Sequence, residues 1–177
     1  MSVGSMPNPA DVQRLEQWLE QYGSGILRTC YVYLKDAALA QDAMQDTFVK
    51  AWQKMDTFEG RNGASPKTWL THIAVNVCRD YRRSRWLRLV DMGKSIEEMP
   101  LPVRQVMPVE RELFESVMAL PDKYREAVLL YYYQELTLEE TAQVLKISRS
   151  TVHHRLQKAR ERLKITLEGS EMEWART

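Results

Sequence analysis

The sequence has few of the residues that most chemistry needs. Three histidines and two cysteines are spread over 177 residues. His153 and His154 are adjacent and cannot stand at the i, i+4 spacing of a helical metal motif, and neither His72 nor the cysteines add zinc-site spacing. Cys30 and Cys78 form no CxxC pair and fall in apolar helical patterns, as buried free thiols of a reducing compartment do. Glycine is scarce, at seven residues, and builds no phosphate-cradling loop. No apolar run approaches the roughly 20 residues of a spanning helix, and the start, MSVGSMPNPADVQ, lacks the charged leader and apolar core of a signal peptide. Strand signals are nearly absent. These absences argue against an enzyme, a metal or cofactor protein and a membrane-inserted one. They leave a cytoplasmic, all-α protein with no catalytic residue, metal or cofactor as the expectation.

Net charge is small as well, at +1, but its distribution is uneven. Asp11 to Gly60 carries five basic and eight acidic residues, whereas Arg61 to Arg88 carries seven basic and one acidic. Glu110 to Glu140 returns to a net charge of −5, and Ser148 to Lys164 is +5. Two separate basic stripes beside acidic segments suggest two polyanion contacts and other surfaces with different tasks.

Apolar periodicity divides the chain into two small helical domains, residues 10–88 and 110–168, joined by a flexible linker at 89–109 and followed by a tail at 169–177. Leu15, Trp18, Leu19 and Tyr22 form one face, and Gly23 and Gly25 predict an interruption before a second helix carrying Ile26, Cys30 and Leu34. A third helix spans about Ala37 to Met55, with Ala40, Met44, Phe48 and Trp52 on its buried stripe. After the loop Asp56 to Ser65, Ser65-Pro66 reads as N-cap and first helical residue of a helix to about Arg85, with Trp69, Leu70, Ile73, Val77 and Tyr81 inward. The linker is rich in proline, with Pro100, Pro102 and Pro108 in or beside it. Beyond it, Pro121 opens a helix, Thr137 with Glu140 forms a capping box, and Ser148 caps a last helix to about Leu167.

Thr137 to Leu163, TLEETAQVLKISRSTVHHRLQKARERL, therefore predicts two helices about three residues apart, with Ala142 at the close approach and Leu145, Ile147, Val152 and Leu156 in the small core. That is a helix-turn-helix, whose second helix enters the major groove with its N-terminal residues at the base edges. Arg149, Ser150, Thr151, His153, His154 and Gln157 lie near that end, and Arg155, Lys158, Arg160 and Arg162 are spread as phosphate contacts are. A charged, solvated helix end is the alternative. The motif alone does not separate a repressor, a response-regulator output domain and a promoter-specificity subunit. In the first domain, His72, Asn76, Arg79, Arg82, Arg83, Arg85 and Arg88 lie opposite the apolar face, and the preceding loop adds Phe58, Arg61 and Asn62. Aromatics beside cations suit unstacked single-stranded bases, where stacking is worth roughly 1–3 kcal/mol per base. Trp69 and Tyr81 read equally well as core.

QDAMQDTFVKAW (Gln41 to Trp52) resembles part of the second conserved region of extracytoplasmic-function sigma factors, and SPKTWLTHIAVNVCRDYRRSR (Ser65 to Arg85) is similar to the rest of it. LPDKYREAVLLYYYQELTLEETAQVLKISRSTVHHRLQKARERL (Leu120 to Leu163) resembles the fourth region. The resemblance implies a subunit that binds core RNA polymerase, reads the minus-35 element of promoter DNA as duplex, and melts and reads the minus-10 element on the nontemplate strand. It also implies control by an anti-sigma factor. Carried over by position, Asp42, Gln45, Asp46, Phe48, Lys50 and Trp52 would dock on the polymerase. Phe58, Arg61, Asn62, His72, Asn76, Arg79, Asp80, Arg82 and Arg83 would hold the minus-10 DNA. Many relatives have glycine where this chain has Lys146; a left-handed backbone there would cost lysine roughly 1 kcal/mol, which points to a shifted turn. The competing reading is a helix-turn-helix regulator with an unrelated helical partner-binding domain, and a third is a protein-binding helical bundle.

Overall fold

The computed structural model describes residues 8–58, 65–89 and 111–174, with side chains placed up to residue 84 and over 113–164. Among these residues the fold is all-α, with no strand. The chain divides into two compact units, Met1–Glu97 and Glu98–Thr177. Most of the expected linker falls outside the described residues.

The first unit holds three long helices, α1 (Pro9–Leu34), α2 (Ala37–Gln53) and α3 (Pro66–Leu89), each packed on the other two. Asn8 opens α1: its Oδ1 accepts from the Ala10 N–H at 3.2 Å, and Pro9 supplies a preset φ at the first position. Lys35 closes α1 in the left-handed conformation (φ 54°), and the Asp36 carboxylate then caps α2 through the Leu39 N–H at 3.0 Å. A sharp reversal between two helices is thus made by two residues.

The break expected at Gly23 and Gly25 does not occur, and α1 runs through both. A helical glycine costs about 1 kcal/mol, a sum that packing outweighs here. Ile26, Cys30, Val32 and Tyr33 are all buried in the half of α1 that follows. Burying even two such side chains is worth about 3–6 kcal/mol. The Thr29 hydroxyl also donates to the Gly25 carbonyl at 3.0 Å.

Small residues let α2 approach closely, since Ala40, Ala43 and Ala51 are fully buried. Leu70, Ala74, Val75 and Val77 fill the core from α3. Cys30 and Cys78 are buried and unbridged. Hydrogen bonding between these thiols, together with burial, pushes the Cys30 thiol well above its usual range. Ser65 caps α3 as expected, accepting from the Thr68 N–H at 3.2 Å.

The second unit gathers α4 (Arg111–Ala119), α5 (Asp122–Val128) and α6 (Leu138–Leu145) around α7 (Arg149–Trp174). Arg125 is 2 % exposed, and its Nη1 donates to the carbonyls of Met118 and Leu120 at 3.0 and 2.9 Å while Nη2 pairs with Asp122. One buried cation therefore satisfies the C-terminal carbonyls of α4 and fixes the turn into α5. A π-helical turn, Leu129–Tyr133, leads to α6.

The capping box is complete: Thr137 Oγ1 accepts from the Glu140 N–H at 3.1 Å, and the Glu140 carboxylate accepts from the Thr137 N–H at 2.8 Å. Lys146 is left-handed (φ 57°, ψ 45°), and the Ile147 N–H reaches the Ala142 carbonyl at 3.1 Å. The turn is thus not shifted. Lysine occupies the place where glycine is usual, and its strain of about 1 kcal/mol is offset by burial of Leu145 and Val152 on either side. The last helix continues past Leu167 to Trp174, because one glycine, Gly169, is a weak stop and no proline follows.

Candidate nucleic-acid interface

The outer face of α2 carries Asp42, Gln45 and Asp46, all exposed, at helical spacing. Val49 completes that face and is 54 % exposed, an apolar side chain among carboxylates and amides. Periodicity alone offered a signal for Val49, which stands three and four residues beyond Asp46 and Gln45. Phe48, grouped with this face by the resemblance, is 6 % exposed and lies in the three-helix core, so it supports the helix from beneath. Trp52 and Lys50 are half-buried at its margins.

On α3, His72, Asn76, Arg79 and Arg83 share one face by their spacing, with Arg82 beside them. Asp80 turns toward α2, where its carboxylate lies 3.8 Å from Lys50 Nζ. Tyr81 does not enter the core. Its hydroxyl donates to Asp46 Oδ2 at 2.6 Å. That bond, then burial and the Asp46 and Asp42 charges, push the phenol pKa up to about 12.

Phe58 is half-buried and packs against other aromatic rings. It meets Trp69 at 4.9 Å and Trp18 at 5.2 Å between ring centroids, and those two tryptophans meet each other at 5.9 Å. This cluster closes the end of the bundle and anchors the chain where the loop begins, so Trp69 is a packing residue. Arg61 and Asn62, and the side chains of Arg85 and Arg88, lie outside the described residues.

The N-terminal end of α7 is assembled by local bonds. Ser148 Oγ accepts from the Thr151 N–H at 3.2 Å and meets the hydroxyls of Thr151 and Ser150 at 2.7 and 3.0 Å. Thr151 is half-buried, and both its N–H and its hydroxyl contact Ser148. Arg149, Ser150, His153, His154, Gln157 and Arg160 are exposed, and Arg155 and Lys158 are half-buried. His153, Gln157 and Arg160 line one shallow hollow with Glu161 and Lys164.

Two ion pairs and a ring contact already occupy some of these cations. Arg149 Nη1 reaches back across the turn to Glu139 Oε1 at 2.9 Å, a partner not foreseen from spacing. Lys158 pairs with Glu161 at 2.8 Å. The Arg162 guanidinium lies 5.3 Å from the ring centre of Tyr124 on α5, a cation–π distance. Exposed pairs of this kind are worth under about 1 kcal/mol, so phosphates or bases can displace them. No group of histidine, cysteine or carboxylate side chains suited to a metal occurs among the described residues, and none of the helices searched is long and apolar enough to cross a membrane.

The family described as Sigma-70 region 2 matches residues 18–88, and the family described as Sigma-70, region 4 matches residues 110–163. The chain is 30 % identical over 155 residues to the ECF RNA polymerase sigma factor SigM of Bacillus subtilis (strain 168), covering 85 % of this chain and 93 % of that protein. It is 30 % identical over 157 residues to the ECF RNA polymerase sigma factor SigW of the same organism, covering 81 % and 83 % of the two chains. Among solved structures it resembles the sigma factor RpoE in complex with the anti-sigma factor NepR from Bartonella quintana, with a TM-score of 0.74 and 25 % identity over 88 % of this chain and 98 % of that one. CnrH in complex with the cytosolic domain of CnrY shares the fold, with a TM-score of 0.63 and 24 % identity over 89 % and 90 % of the two chains. A regulator whose N-terminal domain is unrelated to these proteins is not favoured, because the first unit finds its own match.

Proposed function

The chain belongs to the extracytoplasmic-function sigma factors of the sigma-70 family, and from that premise we propose that it binds core RNA polymerase, reads the minus-35 and minus-10 promoter elements and promotes melting. The exposed face of α2, with Asp42, Gln45, Asp46 and Val49 and with Lys50 and Trp52 at its margins, docks on the polymerase. His72, Asn76, Arg79, Arg82 and Arg83 of α3 hold the minus-10 element, together with Arg61 and Asn62 of the preceding loop. α7 enters the major groove of the minus-35 duplex. There Arg149, Ser150, His153, His154 and Gln157 face base edges, while Arg155, Lys158, Arg160 and Arg162 meet phosphates.

The protein acts in the cytoplasm, performs no covalent chemistry and is held inactive by an anti-sigma partner; the solved relative bound to one supports this last point. One observation carries the reading. A capped helix-turn-helix presenting exposed Arg149 and His153 shares a chain with a three-helix unit matching region 2. Each part alone has many uses, and their combination has one.

Adding the protein to purified bacterial core polymerase should produce specific run-off transcripts that core alone does not. Failure to bind core in gel filtration would overturn the assignment. Within the complex, Arg149→Ala should cost about 1–3 kcal/mol at a single base position. Arg160→Ala should weaken all duplex sites alike and lower the salt slope by about 1.

A further inference from the structure

The surfaces assigned to polymerase and to minus-10 DNA are on different helices, yet two polar contacts join them. Asp46 and Lys50 stand one turn apart on α2, and Asp80 and Tyr81 are consecutive on α3. The Tyr81 hydroxyl donates to Asp46 Oδ2 at 2.6 Å, and Lys50 Nζ lies 3.8 Å from Asp80 Oδ2. The two contacts differ in weight. The ion pair is loose and its side chains are 44 % and 60 % exposed, a setting in which measured pairs contribute little. The phenol–carboxylate bond is short and charge-assisted, the stronger class of hydrogen bond. It also costs less order to make, because a tyrosine has only two side-chain torsions to fix.

We propose that Tyr81 is a positioning residue for polymerase docking: it holds the Asp46 carboxylate in one orientation on the exposed face of α2, so that the helix assigned to DNA shapes the surface assigned to polymerase. The proposal rests on the docking role of α2. A carboxylate accepts at both oxygens, so a bond to Oδ2 sets the plane of the group while Oδ1 still accepts from the partner. With its pKa pushed up to about 12, the phenol remains protonated, and so remains a donor, throughout the range in which transcription is assayed. The arrangement also makes the contact mutual. A partner that grips Asp46 pulls on α3 through Tyr81, and DNA that displaces Tyr81 loosens Asp46.

A double-mutant cycle on the full-length protein tests this, with affinity for core polymerase measured by fluorescence anisotropy. Tyr81→Phe, which removes only the hydroxyl, should weaken core binding about fivefold, and Asp46→Ala, which leaves no acceptor for that hydroxyl, should weaken it about tenfold. The double variant should bind no worse than Asp46→Ala alone, because Tyr81 acts through that carboxylate. Thermal unfolding separates this from a structural role, since loss of fold would lower affinity in both backgrounds. If Asp46→Ala weakens binding and Tyr81→Phe does not, or if the two losses multiply, the positioning role is overturned and the docking surface stands. If Asp46→Ala also leaves core affinity intact, the docking assignment of Asp46 fails, and the proposal fails with it.

Discussion

The N-terminal unit is three long helices that bury one another along much of their length, whereas the C-terminal unit gathers three short helices around one long one, with helix ends tied by local bonds. In the first, α1 passes through Gly23 and Gly25 because side chains from α2 and α3 pack on it. In the second, α6 begins at a complete capping box, and α7 begins at Ser148, whose hydroxyl meets those of both Ser150 and Thr151. The difference carries into the candidate sites. The surface of α2 is organised from across the helix pair, through Tyr81 and Asp80, while the start of α7 is organised by Ser148 and by the Arg149–Glu139 pair across the turn. A packed bundle suits a platform that must hold two polyvalent partners at once. A capped helix suits a probe whose first turn must meet base edges in a fixed orientation.

Trp18→Ala should remove about 3–5 kcal/mol by opening the Trp18–Phe58–Trp69 cluster, and the loss should be confined to the first unit. Hydrogen exchange resolved by peptide checks it: protection should fall across α1, α2 and α3 and stay unchanged in α5, α6 and α7. An equal fall in both units would show that they do not fold independently. Thr137→Ala is the converse test. It deletes one arm of the capping box and should cost about 1–2 kcal/mol, with faster exchange at the start of α6 and none added in the first unit. A cost near zero in denaturant unfolding would mean that packing, not capping, starts that helix.

The smallest effect sharpens the role of the turn. Lys146→Gly relieves a left-handed lysine and should raise stability by about 1 kcal/mol, with minus-35 affinity unchanged because the turn keeps its geometry. Reduced stability on chemical unfolding would show that the lysine side chain contributes more by its contacts than its backbone costs.

Much of the second unit was legible in the order of its residues. Thr137 and Glu140, or Ser148 and Thr151, lie three apart, and their bonds form within one turn whatever the rest of the chain does. The α2 stripe and the Ser65 cap were legible for the same reason. Spacing misled where a residue had two readings. Phe48 belongs to a buried stripe and also stands within a segment resembling a docking motif, and burial at 6 % decides for the stripe. Phe58 looked like a loop aromatic, but it is held between two tryptophans from α1 and α3. The position of Tyr81 on the helix predicts an inward ring, yet the side chain is half-buried and its hydroxyl reaches α2.

Local chemistry is what the order of residues determined by itself: helix starts, periodic faces, the all-α class, the helix-turn-helix and the two basic stripes. Those features depend on neighbours within about one turn, where the backbone fixes the distances. The tertiary structure alone decided which glycines a helix can absorb, that Arg149 turns to Glu139, and that Asp46 is held from α3. Each of these depends on a partner brought near by packing rather than by sequence. A contact 35 residues apart, such as Tyr81 with Asp46, has no spacing rule to reveal it, because its distance is set by how two buried faces fit.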